Sequence, residues 1–466
     1  MFGIRTASSV WRALIIAALI VGTVPHAFAQ FGQELGPVGQ YRQGVPVGVW
    51  TLYPSLFGGA VYDDNTSQLN GHNAGTSGRL VPNLSAIWNT QNHQTTLYGV
   101  VDAQFFDANT VSATTGFSHT YEPTRDLKFN LQSNYTRQTD IFTSALNFNN
   151  GAIGPTTAAG SNAPLFINPF GTTPSVNPIA YNQFTAAGYV TKTFGADGRA
   201  FATLTGAAFY LAFDHQQDLG PNNPFQTSND GANYQVDGKI GYHVAPSIYV
   251  FADGAGIFQR FQNSLFNTNG YRVTGGIGSD DPKSLLTGEI YGGYQEQHEE
   301  NNQLLNGIPG LGIPGVAVPG VGIPGVGVPS GIPQNTGSSV FGGRLYYFPT
   351  RQWSLVAQVD EILGISTILQ PTVPAGSPTR TISSLLQSNY SLWRGLTFGV
   401  RGGYTRSDFI GINRLDNGYM AGASLTYEVW RNLMATLDYQ YMTVSSNAPM
   451  SDFTRNVYTA GITYRY

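Results

Sequence analysis

Apolar side chains recur at every second position along much of this chain, a period that strands satisfy and helices do not. From Leu127 to Arg137 one face carries Leu127, Phe129, Leu131 and Tyr135, and the other carries Lys128, Asn130, Gln132, Asn134 and Thr136. Between Leu396 and Thr405, Leu396, Phe398, Val400 and Tyr404 oppose Thr397, Arg401 and Thr405. Tyr419, Ala421, Ala423, Leu425, Tyr427 and Val429 likewise oppose Ser424, Thr426 and Glu428. Leu433, Ala435, Leu437, Tyr439 and Tyr441 oppose Thr436, Asp438 and Gln440. The abundance of aromatic residues suits pleated surfaces, and the 57 glycines suit turns.

Strands with one greasy and one polar face belong either to a water-soluble sandwich or to a barrel in lipid. Arg5 and Arg12 precede the apolar run Ala13 to Val24, which ends in Pro25-His26-Ala27-Phe28-Ala29. This is the order of a secretory leader, residues 1–29, cleaved near Ala29. The alternative, an N-terminal anchor, needs a longer run, because a helix over Ala13 to Val24 rises only ~18 Å against a ~30 Å hydrocarbon core. No later stretch approaches the roughly 18 apolar residues of a spanning helix, so any entry into a membrane is by strands. Charged residues are 11% of the chain, about half the usual density for a soluble domain. The absence of cysteine excludes a disulfide scaffold. With 23 Lys+Arg against 27 Asp+Glu, nucleic acid is not an expected partner.

Connection lengths point to lipid. Short turns fall at 89–94, 123–126, 195–199, 245–247, 280–283, 349–352, 394–395 and 431–432. Between them lie longer polar stretches near 64–78, 108–117, 138–183, 214–230, 261–270, 298–337, 364–379, 406–416 and 444–453. Strict alternation of short and long connections is the asymmetry of an outer-membrane barrel, with short periplasmic turns and long extracellular loops. The count is about 18 antiparallel strands between Ser55 and Tyr466, an all-β transmembrane barrel. Trp88, Trp353, Trp393 and Trp430 fall beside short turns, where amphipathic rings mark the membrane interface. Residues 30–54 read as a periplasmic segment or a plug, and 55–466 as the barrel.

Tyr458, Ala460, Ile462, Tyr464 and Tyr466 alternate with Thr459, Gly461, Thr463 and Arg465 up to an aromatic last residue. This resembles the terminal strand signal of outer-membrane proteins and implies the barrel-assembly machinery as a partner. Phe57-Gly58-Gly59-Ala60-Val61-Tyr62-Asp63-Asp64-Asn65 resembles the opening strand of the putative beta-barrel porin-2 family, glycine-rich and ending in an aromatic-x-Asp-Asn step. The turns Asp281-Pro282-Lys283, Trp393-Arg394-Gly395 and Trp430-Arg431-Asn432 are similar to that family's short connections. The resemblance implies an outer-membrane barrel with a transport role and names no substrate.

Prolines 309, 314, 319, 324 and 329 punctuate a five-residue repeat over 308–333, similar to the elastin pentapeptide. Pro-Gly steps favour type II turns and prevent a regular ladder, so this segment is expected as an outer loop. It either contacts a partner or is low-complexity filler.

The histidines show no metal-ligand spacing, and no nucleophile or nucleotide motif occurs, so neither an enzyme, a metal nor a cofactor is expected. The inner face carries the chemistry. Asp102, Gln104, Lys128, Asp237, Lys239, Glu289, Arg401, Glu428 and Asp438 fall on the polar parity of their strands. A Lys or Arg facing lipid at the midplane costs ~2–4 kcal/mol, which places such residues in a wet lumen. There they either set up a transverse field that sorts solutes by charge or form internal ion pairs. The expected function is a porin-like channel for passive diffusion of small hydrophilic solutes across the outer membrane. A surface adhesion barrel displaying long loops, or a barrel for envelope polysaccharide export, is the alternative.

Overall fold

In lipid every strand edge must find a neighbour, because an unpaired backbone N–H or C=O has no water to turn to. Two-faced strands meet that demand by closing on themselves. The computed structural model describes residues 44–66, 74–106, 110–138, 170–171, 180–195, 197–213, 230–262, 264, 267–280, 284–300, 335–350, 352–366, 378–411, 413–448 and 452–466. The expected leader, residues 30–43 and the Pro-Gly repeat lie outside them.

In chain order the strands are β1 (Val45–Val47), β2 (Trp50–Asp63), β3 (Gly75–Asn89), β4 (His93–Phe106), β5 (Thr110–Thr124) and β6 (Leu127–Gln138). There follow β7 (Phe170–Gly171), β8 (Tyr181–Phe194), β9 (Ala200–Phe213), β10 (Gly231–Ala245), β11 (Ile248–Phe261), β12 (Thr268–Ser279) and β13 (Leu286–Glu299). The last are β14 (Asn335–Thr350), β15 (Trp353–Ser366), β16 (Pro378–Trp393), β17 (Leu396–Phe409), β18 (Arg414–Trp430), β19 (Leu433–Ser446) and β20 (Phe453–Arg465). Leaving aside β1 and β7, the other eighteen strands each pair antiparallel with the next, with β6 meeting β8 directly. β20 returns to β2 from Ser55↔Arg465 to Asp63↔Val457, which closes the barrel.

Side chains reinforce that closure. Arg455 on β20 donates to Asp63 through Nε at 2.9 Å and Nη2 at 2.6 Å. The backbone N–H of Asn456 donates to Asp64 at 2.6 Å, and Asn65 Nδ2 donates to the Thr454 carbonyl at 2.9 Å. The acidic step at the end of the opening strand is thus a clasp between the first strand and the last.

One rim has short connections, among them 125–126, 246–247, 394–395 and 431–432, and the other has all the long ones. In the turn 394–395 Gly395 has φ 86°, the left-handed conformation that a two-residue hairpin asks of its glycine. The expectation of a long connection over 108–117 is corrected. β5 begins at Thr110, so only 107–109 separate it from β4. Polar, β-branched residues such as Thr110, Thr114 and Thr115 extend the strand where it rises out of the lipid zone, and their polarity mimics a loop. β2 begins at Trp50, so the expected boundary at 54/55 falls inside a strand. Below the end of β20, β1 takes over the same edge of β2, with Val45↔Leu52 and Val47↔Trp50 in register.

The outer face is apolar and exposed, with Leu204, Val236, Ile240, Val273, Leu437 and Ile462 each more than half exposed. A surface this apolar all round a barrel belongs in lipid. Exposed Tyr135, Tyr210, Tyr234, Tyr271, Tyr294 and Tyr419 form a belt toward the long-loop rim.

The wall is lapped at one place. β14 and β15 pair only up to Gly342↔Asp360, although both strands continue. Beyond that point Gln295 and Gln297, on the inner face of β13, donate to the Leu363 carbonyl of β15 at 2.8 and 3.1 Å. With β14 between them in the wall, those bonds require β15 to lie inside β14. The overlap explains why Glu361 and Leu363, on the outward parity of β15, are buried. Arg380 of β16 forms an ion pair with Glu361 there.

Candidate functional site

The inner wall is built by strand parity: wherever one residue faces lipid, its neighbours face the lumen. All nine expected wall residues lie on the face opposite the exposed apolar one. Asp102 on β4 takes a bidentate pair from Arg79 of β3, Nε to Oδ1 at 3.0 Å and Nη2 to Oδ2 at 2.6 Å. Gln104 stands in register with Arg79. Arg401 of β17 reaches past β18 to Asp438 of β19, donating at 2.8 and 2.9 Å, and touches Gln440 at 3.3 Å. Its path runs over Gly422, where a Cβ would stand 2.8 Å from the Arg401 Nε. Glu428 lies near the short-turn rim of β18, its backbone N–H bonded to the Gly395 carbonyl at 2.7 Å. Lys128 also sits near that rim, paired with Glu122 at 3.0 Å.

A second network covers β10 to β15. Lys239 donates to both oxygens of Glu289 at 2.9 and 2.8 Å and lies 4.2 Å from the Phe251 ring centroid, a cation–π contact. The Tyr249 hydroxyl donates to the same carboxylate at 2.6 Å. The rings of Tyr249, Phe251 and Phe201 pack together with Tyr291. They lie across Gly278 and Gly276 of β12, where any Cβ would collide with Tyr249 and Phe251. Arg272 meets Asp237 at 3.5 Å, and Thr274 donates to Asp253 at 3.4 Å. Arg344 donates to Gln358 at 2.7 Å, Gln358 in turn to Asp360 at 2.9 Å, and the Tyr291 hydroxyl to Asp360 at 3.2 Å.

The sequence pattern of the family described as putative beta-barrel porin 2 matches residues 41–315 and 348–466. The chain belongs to this family. It is an outer-membrane porin-like barrel. The interruption of the match, 316–347, includes much of the Pro-Gly repeat. Comparison with curated proteins finds no match. Among solved structures, Pseudomonas aeruginosa OpdL is 11% identical, with TM-score 0.40 over 90% of this chain and 99% of that one. Acinetobacter baumannii OccAB3 is 9% identical, with TM-score 0.41 over 90% and 100%. The siderophore receptor PirA of Pseudomonas aeruginosa is 8% identical, with TM-score 0.37 over 89% and 80%. The family match carries the assignment.

Around this porin-like barrel, Trp88, Trp353, Trp393 and Trp430 all stand at strand ends on the short-turn rim. Trp353 Nε1 donates to Ser388 at 2.8 Å, while Trp393 and Trp430 are exposed. Trp50, absent from the sequence reading, opens β2 and packs 6.0 Å from Trp88, which in turn stacks on His93 at 6.1 Å. Tyr458, Ile462 and Tyr464 face outward on β20 and are exposed, and Tyr466 follows the strand's end. The wall residues missed in the sequence are Arg79, Tyr249, Asp253, Arg272, Arg344 and Asp360. Arg79 had a usable signal, since Ser77, Arg79, Asn83 and Ser85 keep the polar parity, but Gly78 and Pro82 interrupt the apolar one. Among the described residues, no group of three or more His, Cys, Asp or Glu side chains is placed to hold a metal.

Proposed function

We propose that this barrel is a passive channel for small hydrophilic solutes. The observation that carries the reading is the inner wall: charged and amide side chains on many strands of a closed barrel, paired along the wall instead of across it. Barrels of about 18 strands enclose an aqueous lumen unless a plug fills it. In this reading solutes cross without chemistry, the nine wall residues line their path, and the lipid-facing aromatics set the barrel's height in the membrane. Tyr458, Ile462, Tyr464 and Tyr466 act as the signal read by the assembly machinery. Residues 1–29 serve as a cleaved leader. The test is swelling of proteoliposomes in iso-osmotic sugars of increasing size. Rates that fall steadily with solute size support diffusion through a pore. No swelling with any sugar, from a barrel that migrates as folded before heating, overturns it. Repeating the assay without residues 30–43 separates a plugged lumen from an open one, because removal of a plug raises the rate and removal of a tail leaves it unchanged.

A further inference from the structure

Most of the lumen bases are paired with an acid on the same wall. On the inner face, well inside the strand ends, stand the bases Arg79, Lys239, Arg272, Arg344 and Arg401. The acids there are Asp102, Asp237, Asp253, Glu289, Asp360 and Asp438. Arg79 and Arg401 are each held by two hydrogen bonds to a carboxylate on the same wall, and Lys239 contacts both oxygens of Glu289. Each such pair is a dipole lying in the wall. The Asp102 and Asp438 side chains are 23% and 26% exposed, so these pairs sit at the lumen surface instead of beneath it.

The arc from β5 to β9 is different. Beyond the rim pair Lys128 and Glu122, the inner parity of β5, β6, β8 and β9 carries no charged residue. Half-buried Thr114, Ser118, Thr120, Asn130, Gln183 and Thr191 line it. Thr114 meets Thr136 at 3.2 Å, Asn130 donates to Thr120 at 2.9 Å, and Thr191 meets Thr203 at 2.9 Å. Hydroxyls and amides both give and accept hydrogen bonds, so they replace the hydration of an uncharged polyol at little cost. An ion gains nothing comparable from this arc, and the wall, with six acids against five bases, offers it an excess of only one charge.

Resting on the porin reading above, we propose that the channel selects uncharged, hydroxyl-rich solutes over ions, and that Asp102 and Asp438 are specificity-determining residues. Their role is to occupy Arg79 and Arg401, which would otherwise be anion-binding sites in the lumen.

The test is the reversal potential of the purified full chain in planar bilayers under a potassium chloride gradient. The wild type is expected to show a cation-to-anion permeability ratio within about threefold of unity, as a nearly charge-balanced wall implies. Asp438→Asn and Asp102→Asn each shift the ratio toward anions, and Arg401→Gln shifts it toward cations. The double variant Arg401→Gln with Asp438→Asn returns it to the wild-type value, which a merely structural role would not do. In proteoliposomes the wild type passes a neutral sugar faster than a sugar acid of equal size. A wild-type ratio beyond about tenfold in either direction, or single variants that conduct with an unchanged ratio, overturns the proposal. A wild type that conducts no ions and passes no sugar overturns the porin reading itself, and this proposal with it.

Discussion

Gly422 shows how one residue shapes the wall. It lets the Arg401 side chain lie flat across β18, with space for no more than a hydrogen at its Cα. Gly422→Val is expected to separate Arg401 from Asp438 and, through overpacking, to cost about 1–3 kcal/mol. The cost is measurable as a lower urea midpoint of unfolding, while the reversal potential, with both charges retained, stays near the wild-type value. At the short-turn rim Asp126 lies outside the spanning strands. The hydrogen bond from the Lys192 ammonium holds its carboxyl at about 2, below the ordinary 3.8. Its folded value is depressed, so its contribution is fully present above 3.8 and disappears as pH falls through that value toward 2. Lys192→Met should raise the Asp126 titration toward the ordinary range, read from its carboxylate resonance in micelles. Parity alone placed Lys128, Asp237, Lys239 and Asp438 on the inner face, because each sits in a clean alternating run. Their partners were not legible. Lys239 and Glu289 lie 50 residues apart on β10 and β13, and their meeting depends on two intervening strands whose glycines and rings no period reveals.

At the scale of elements the lap between β14 and β15 is the least regular part of the wall. Its fastening is by side chains where a ladder would otherwise run. Each such hydrogen bond contributes roughly 0.5–1.5 kcal/mol, so removing both donors with Gln295→Ala and Gln297→Ala should loosen the end of β15 while the ladders elsewhere persist. Hydrogen exchange resolved to 361–366 should quicken by roughly tenfold, with β17 to β19 unchanged. Equal acceleration throughout would mean that the lap has no independent freedom. Strand existence was plain wherever greasy and polar faces alternated, as in β6, β17 and β19. Strand ends were not, as Thr110 and Trp50 illustrate, because rim residues leave the lipid and lose the apolar half of the pattern. The lap left no trace in the sequence, since β15 keeps its pairing with β16 throughout.

For the molecule as a whole, closure is the decisive event, and the Asp63-Asp64-Asn65 step supplies its clasp. The Arg455–Asp63 pair is nearly buried, with side-chain exposures of 13% and 10%. Asp63→Ala would remove the carboxylate that two Arg455 nitrogens meet in a nearly buried pair, at a cost of about 3–5 kcal/mol. The expected result is a barrel that loses its folded migration at a lower temperature than the wild type, with Asp64→Ala intermediate. The barrel is expected to be a cylinder greasy outside and hydrated within. The chain has no cysteine, so single ones report cleanly on each face. Ala460→Cys on β20 points outward and Thr436→Cys on β19 points inward. In intact outer-membrane vesicles a small water-soluble maleimide should label position 436 and leave position 460 unlabelled until detergent or denaturant exposes it. Labelling of 460 with protection of 436, or equal labelling of both, would contradict that arrangement.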